Sequence, residues 1–243
     1  MNLRTLLIAA TLLVTCLFSA VKLRQALQPP VAAEVPESSP GANDRPANAS
    51  VELSVDKLTN TPARLLQTKT CIRCDLSGID LSGKDLSRAN FSQTRLVRSN
   101  LGQTKLINAT LREAQLSAAS LKAANLQGAD LGKANLTGAD LTQAQLLNIS
   151  LSQANLKDAT LKQAELRDAN LRDASFEHAH MQNASLYGAI LIKANLKNAD
   201  LSGADLRYAN LKDADLSGTN LSNARLDWAI MPDGTSYQGT TPY

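Results

Sequence analysis

The stretch GADLGKANLTGADLTQAQL, residues 128–146, places Leu at 131, 136, 141 and 146, with Ala two residues before each. The beat runs without a slip from Leu76 to Leu226. Leu fills 28 of its 31 positions, and Phe91, Phe176 and Met181 fill the rest. A spacing of five matches neither the 3.6-residue period of a helix nor the two-residue alternation of a strand. Bringing every fifth side chain into one core calls for a coil. The residue two before Leu is Ala in 23 of the 31 units; the exceptions are Cys74, Ile79, Lys84, Thr94, Ser99, Thr104, Ile149 and Thr219. The residue just before Leu is mostly Asn, Asp or another small polar group, and the two after it read as freely variable. One large and one small apolar residue per unit suit a short straight step followed by a tight corner, with turn-forming residues outside it. Four steps close a coil of twenty residues, so 31 units give nearly eight coils, stacked at the inter-strand spacing of ~4.8 Å.

These A(D/N)Lxx units, in runs such as the one above, resemble the pentapeptide-repeat family over about residues 71–231. The resemblance implies an all-β fold, a right-handed quadrilateral β-helix with four flat faces. A Leu/Ala rod of this kind needs few aromatics, and the chain has 3%. A short N-terminal capping helix is expected within residues 61–70, where Thr61 can N-cap, Pro62 can take the first helical position, and Leu65 and Leu66 can lie over the open first coil. The repeat ends after Met231. Residues 232–243 form a tail in which Pro232 and Gly234 stop the rod and Tyr237 can fold over it.

The front of the chain is a different object. Residues 1–24 carry Arg4, then seventeen residues without charge from Thr5 to Val21, then Lys22 and Arg24. Such a run suits a signal peptide or a membrane anchor. The poor cleavage pattern at Phe18-Ser19-Ala20 favours an uncleaved anchor, and either route places the rod outside the cytoplasm, in a periplasm or thylakoid lumen. Residues 25–60, rich in Pro, Ala and Ser, read as a flexible linker.

Cys71 and Cys74, in TCIRCDLSG, fall on the Leu register and in an Ala slot of the first coil. The ends of one turn lie close enough for a disulfide. Three readings stay open: a structural disulfide, two inert buried thiols, or a redox-active pair. A CxxC at the start of the repeats also resembles many cyanobacterial members of the family. His178 and His180 read as solvated surface residues without a third metal ligand. No cofactor-binding, metal or catalytic constellation emerges, and a rod filled by Leu and Ala leaves no active-site cavity.

Stepping by twenty residues brings Tyr187, Tyr208 and Trp228 to the last coils of one face, with Ile190 and Ile192 round the next corner. Outward apolar clusters mark contact surfaces; the alternative is that the C-terminal tail covers this one. The family includes DNA-mimicking regulators of topoisomerases, which need a strongly negative field. The rod carries 18 Lys/Arg against 16 Asp/Glu, which disfavours that role, and no basic face suits nucleic acid. The leading expectation is a non-catalytic scaffold, exported or tethered to a membrane by its N-terminal segment, that binds a protein partner or a second copy, end to end or face to face. A thiol redox protein acting through Cys71 and Cys74 is the enzymatic alternative.

Overall fold

The computed structural model describes residues 62–239. The expected membrane segment and linker therefore lie outside the described residues. Helix α1, Pro62–Thr68, precedes the repeats and starts with proline at its first position, where the missing N–H goes unused in any helix. It closes through Lys69 N–H donating to the Leu65 carbonyl at 2.8 Å, with Lys69 in the left-handed region at φ 49°, a common way to end a helix. Leu65 is buried with the rod core and Leu66 packs against it.

From Thr70 onward every fifth residue forms a parallel bridge to the residue twenty further on, beginning with Thr70–Asn90 and ending with Asn210–Ile230. Twenty residues per coil, four units to a turn, is the expected register. Three backbone bonds per unit hold it. The Leu N–H donates to the next coil, as from Leu116 to the Asn135 carbonyl at 2.7 Å. The N–H of the residue before Leu donates to the previous coil, as from Asn135 to the Ala114 carbonyl at 2.9 Å. The second residue after Leu donates forward, as from Ala118 to the Thr137 carbonyl at 2.9 Å. The wall thus satisfies its own backbone. Inside, the Leu columns are shut off from solvent along the mid-rod, each side chain contributing roughly 1.5–3 kcal/mol over exposure.

The corners correct one sequence reading. The Ala N–H donates back to the Leu carbonyl three residues earlier, as from Ala134 to Leu131 at 3.0 Å. The second residue after Leu has positive φ at every corner from Arg73 to Trp228. This is the geometry of a type II turn, so the two outer positions are not equivalent. Ile72, Val97, Ile107, Thr137, Thr142 and Ile192 all stand at the first outer position, and the second carries no β-branched residue. A branched β-carbon clashes in the left-handed region. Only a minority of these corners are Gly; the others place Arg, Gln, Lys, Asn, Asp, even Tyr and Trp there.

The exceptions in the Ala slot have local reasons. Buried Thr104 donates its hydroxyl to the Leu81 carbonyl at 2.9 Å, Ser99 to the Leu96 carbonyl at 2.8 Å, and Thr94 to the Cys71 carbonyl. Cys74 and Ile79 are only half-buried and Lys84 is exposed, because their coil has no full coil before it. At the far end the tail turns back. Tyr237 N–H donates to the Ala229 carbonyl at 2.8 Å, Trp228 N–H to the Tyr237 carbonyl at 3.1 Å, and Ser236 bridges Ile230 in antiparallel sense. Tyr237 packs against the core, whereas Leu216 and Leu221, on the two columns beyond the tail, stay half-buried.

Candidate functional site

Most polar side chains of the rod are occupied by the lattice. The Asx residue before Leu accepts the N–H two residues on: Ser77 N–H reaches Asp75 Oδ1 at 3.0 Å, and Thr137 N–H reaches Asn135 Oδ1 at 3.1 Å. Where that second residue is Ser or Thr its hydroxyl often donates to the same oxygen, as from Thr142 to Asp140 at 2.5 Å. These bonds favour the charged carboxylate. The Ser87 backbone N–H, helped by its hydroxyl, brings Asp85 down to about 2, and the Ser77 hydroxyl and N–H lower Asp75 likewise.

Cys71 and Cys74 are joined by a disulfide in the structure, with their Cα atoms 5.5 Å apart. Cys71 is buried in the first coil and Cys74 is half-buried. Their neighbours are Thr94, whose hydroxyl donates to the Cys71 carbonyl, and the chain leaving α1.

His178 lies on the surface, its Nδ1 3.3 Å from Asp158 Oδ1 and its Nε2 3.3 Å from Asn198 Nδ2. These are rungs of one outer column. Among the described residues no group of three or more His, Cys, Asp or Glu side chains is arranged to hold a metal. A shallow groove of about 540 Å³ runs over the first coils, lined by Ser82, Gly102, Gln103, Lys122 and Gln143 among others. It exists because Gly83, Gly102 and Ala123 leave the corners low there.

Two of the aromatic residues meet. The Tyr187 and Tyr208 rings lie 5.2 Å apart, tilted by 55°, and the Arg207 guanidinium stands over Tyr187 at 5.4 Å. Asp205 fixes that guanidinium with two bonds of 2.8 and 2.7 Å. Ile190 and Ile192 are half-buried on the adjoining wall and corner. The tail folds back as one expectation had it, yet it leaves this face open: Tyr208 remains 53% exposed and Trp228 58%. Sequence reading found these residues by stepping through the repeat. It missed the cleft beside Trp228, of about 280 Å³ and lined by Asp227, Trp228, Tyr237 and Gln238. No spacing rule places the tail residues Tyr237 and Gln238 there.

Among the described residues no helix is long and apolar enough to cross a membrane. No curated protein matches the chain. Among solved structures, HetL, a pentapeptide repeat protein involved in heterocyst differentiation regulation from the cyanobacterium Nostoc sp. PCC 7120, is 32% identical. That match covers 72% of this chain and 97% of HetL, with a TM-score of 0.46. A trypsin-treated R167E form of QnrB1, a plasmid-mediated fluoroquinolone resistance protein, is 19% identical. It matches over 70% of this chain and 87% of its own, at a TM-score of 0.64, a likeness of fold consistent with the right-handed β-helix. The model of the pentapeptide repeats matches in eight copies, from residues 71–106 through to 194–231. By its twenty-residue lattice, its Leu and Ala columns and that match, the chain belongs to the pentapeptide-repeat family.

Proposed function

We propose that this protein is a non-catalytic scaffold that acts by presenting its rigid outer surface to a protein partner. The observation that carries the reading is that, of the three exposed large apolar side chains among the described residues, two, Tyr208 and Trp228, stand on successive corners of one face, the third being Ile72 at the first coil. Aromatic side chains with Arg beside them are the residue types that dominate binding energy at interfaces. Tyr187, Ile190, Ile192, Tyr208 and Trp228 would form the contact patch. Replacing Tyr187, Tyr208 and Trp228 together by Ser, with the fold checked by circular dichroism, should abolish capture of the partner from extracts of the source cells. Capture of the same proteins by both forms would refute the patch.

The remaining parts fit a tethered rod. Leu65 of α1 shields the core at its first coil, a capping role, and the tail does the same over two columns at the last. The Cys71–Cys74 bond acts as a structural staple, in keeping with an oxidising compartment. The apolar run of residues 5–21 would supply a membrane anchor or export signal, placing the rod in a periplasm or thylakoid lumen. Sequencing the N-terminus of the mature protein after cell fractionation tests this: a soluble cytosolic product beginning at Met1 refutes it. A topoisomerase-directed DNA mimic is the weaker reading, since 18 basic residues balance 16 acidic ones along the rod and the field such mimicry needs is strongly negative.

A further inference from the structure

Trp228 is the single tryptophan of the chain, and it stands at the second outer position of its corner with φ 62°. Its backbone is pinned to the returning tail at Tyr237, yet the residue is 58% exposed. An exposed indole on a rigid corner offers a flat apolar face with an N–H at its edge. The cleft beside it, about 280 Å³, falls just below the ~300–1,000 Å³ of sites for drug-sized ligands, so it suits one small ring. Its other walls are the Asp227 carboxylate, a pure acceptor, the Gln238 amide, which donates and accepts, and Tyr237.

The charges nearby decide between ligand classes. Asp227 acts on the Arg207 guanidinium, whose pKa is raised chiefly by its hydrogen bond to Asp205. Arg225 lies 3.9 Å from the same Asp205 and is largely exposed. Asp205 and Asp227 balance Arg207 and Arg225, so these four charges sum to zero and favour an ion of neither sign over a neutral ligand. An apolar side chain would use the indole alone and leave the exposed Asp227 and Gln238 to water. A neutral polyhydroxylated ring uses every wall: its apolar face lies on the indole and its hydroxyls pair with the carboxylate of Asp227 and the amide of Gln238. We propose that the cleft between the last coil and the tail binds a neutral saccharide, one unit resting on Trp228. Tyr208, one coil back in the same column, offers a second ring face ~4.8 Å along the axis over which an oligomer can continue.

Because Trp228 is alone, its fluorescence reports the site without labelling. The full chain is titrated with the trimer of N-acetylglucosamine and the trimer of glucose, and separately with tetramethylammonium chloride. The expected result is a saturable change with at least one trimer, with a Kd on the order of 1 mM or tighter. Asp227→Asn should raise that Kd about tenfold through loss of a charge-assisted bond, with an unchanged far-ultraviolet spectrum. Trp228→Ala, followed by calorimetry, should remove binding altogether. Lys133→Ala, on an exposed mid-rod corner far from the cleft, should leave the Kd within about twofold. No response to either trimer, an unaltered Kd in Asp227→Asn, or tighter saturation by tetramethylammonium would each overturn the proposal. Asp227→Asn leaves Tyr187, Tyr208 and Trp228 in place, so its outcome is separable from partner capture by the aromatic patch.

Discussion

The corner at Leu151 isolates the cost of the left-handed position. Ser152 and Gln153 are its outer residues. Gln153 has φ 59° and donates its N–H to the Arg172 carbonyl at 2.8 Å, a bond that any replacement but proline keeps. A non-glycine residue in this region costs about 1–2 kcal/mol relative to the right-handed alternative. Gln153→Gly recovers that amount less the ~0.5–1 kcal/mol of extra unfolded-state freedom that glycine carries, a net gain of roughly 0.5–1 kcal/mol. Gln153→Val brings a second γ-carbon against the backbone, a further loss of about 1–2 kcal/mol. Ser152→Val puts the same side chain one residue earlier, where Ile107 and Ile192 already stand, and should fall within about 0.5 kcal/mol of the parent. For a chain of this size 1 kcal/mol moves Tm by about 2–4 °C. Thermal melts should therefore rank Gly above parent, parent level with Ser152→Val, and Gln153→Val lowest by roughly 2–8 °C. Equal losses for valine at 152 and 153 would refute the claim that positive φ at the second position, rather than crowding at the corner, restricts the repeat.

Leu146→Ala should cost about 2–5 kcal/mol in denaturant unfolding because a mid-rod column cannot collapse onto the hole, while Leu147→Ala, a half-buried outer residue, should cost less than about 1 kcal/mol. Stability should fall in acid. The folded pKa of Asp85, about 2, and that of Asp75, also lowered, lie below the unfolded value of ~3.9. Their contribution is therefore full above that unfolded value and fades as pH drops through the folded one. Asp85→Asn, which keeps an acceptor for the Ser87 N–H as Asn90 does for Ser92, should flatten the stability profile between those pH values in acid titrations followed by circular dichroism. Leu65→Ser should speed amide exchange in residues 70–90 and leave residues 130–170 protected, since each coil leans on its neighbours alone; uniform loss of protection would show that α1 supports the whole rod.

The fold was legible because the Leu beat overdetermines it: each of the buried columns repeats one residue choice, and Asn or Asp before Leu announces the corner bond. The inequality of the two outer positions was also written in the sequence, through the confinement of Ile72, Val97 and Thr137 to the first of them. It is an absence, however, and absences are quiet unless the turn type is already known. The aromatic corner followed from arithmetic alone. The cleft did not, because Tyr237 and Gln238 reach Trp228 through an antiparallel return whose direction no five-residue rule sets. Nor did sequence choose among the readings for Cys71 and Cys74, since a turn's span suits bonded sulfurs and separate thiols alike.

The twenty-residue register also governs how such a gene can change length. Cys71 and Met231 occupy the same column, since the bridge ladder repeats every twenty residues between them. Losing or duplicating a single five-residue unit would leave the core continuous but turn everything after it by a quarter revolution. Tyr208 and Trp228 would then face a different compass direction from Cys71 and the chain that leads to it. Only changes of a whole coil preserve that bearing. Insertions and deletions thus fall into two kinds: those that lengthen the rod, and those that aim it elsewhere.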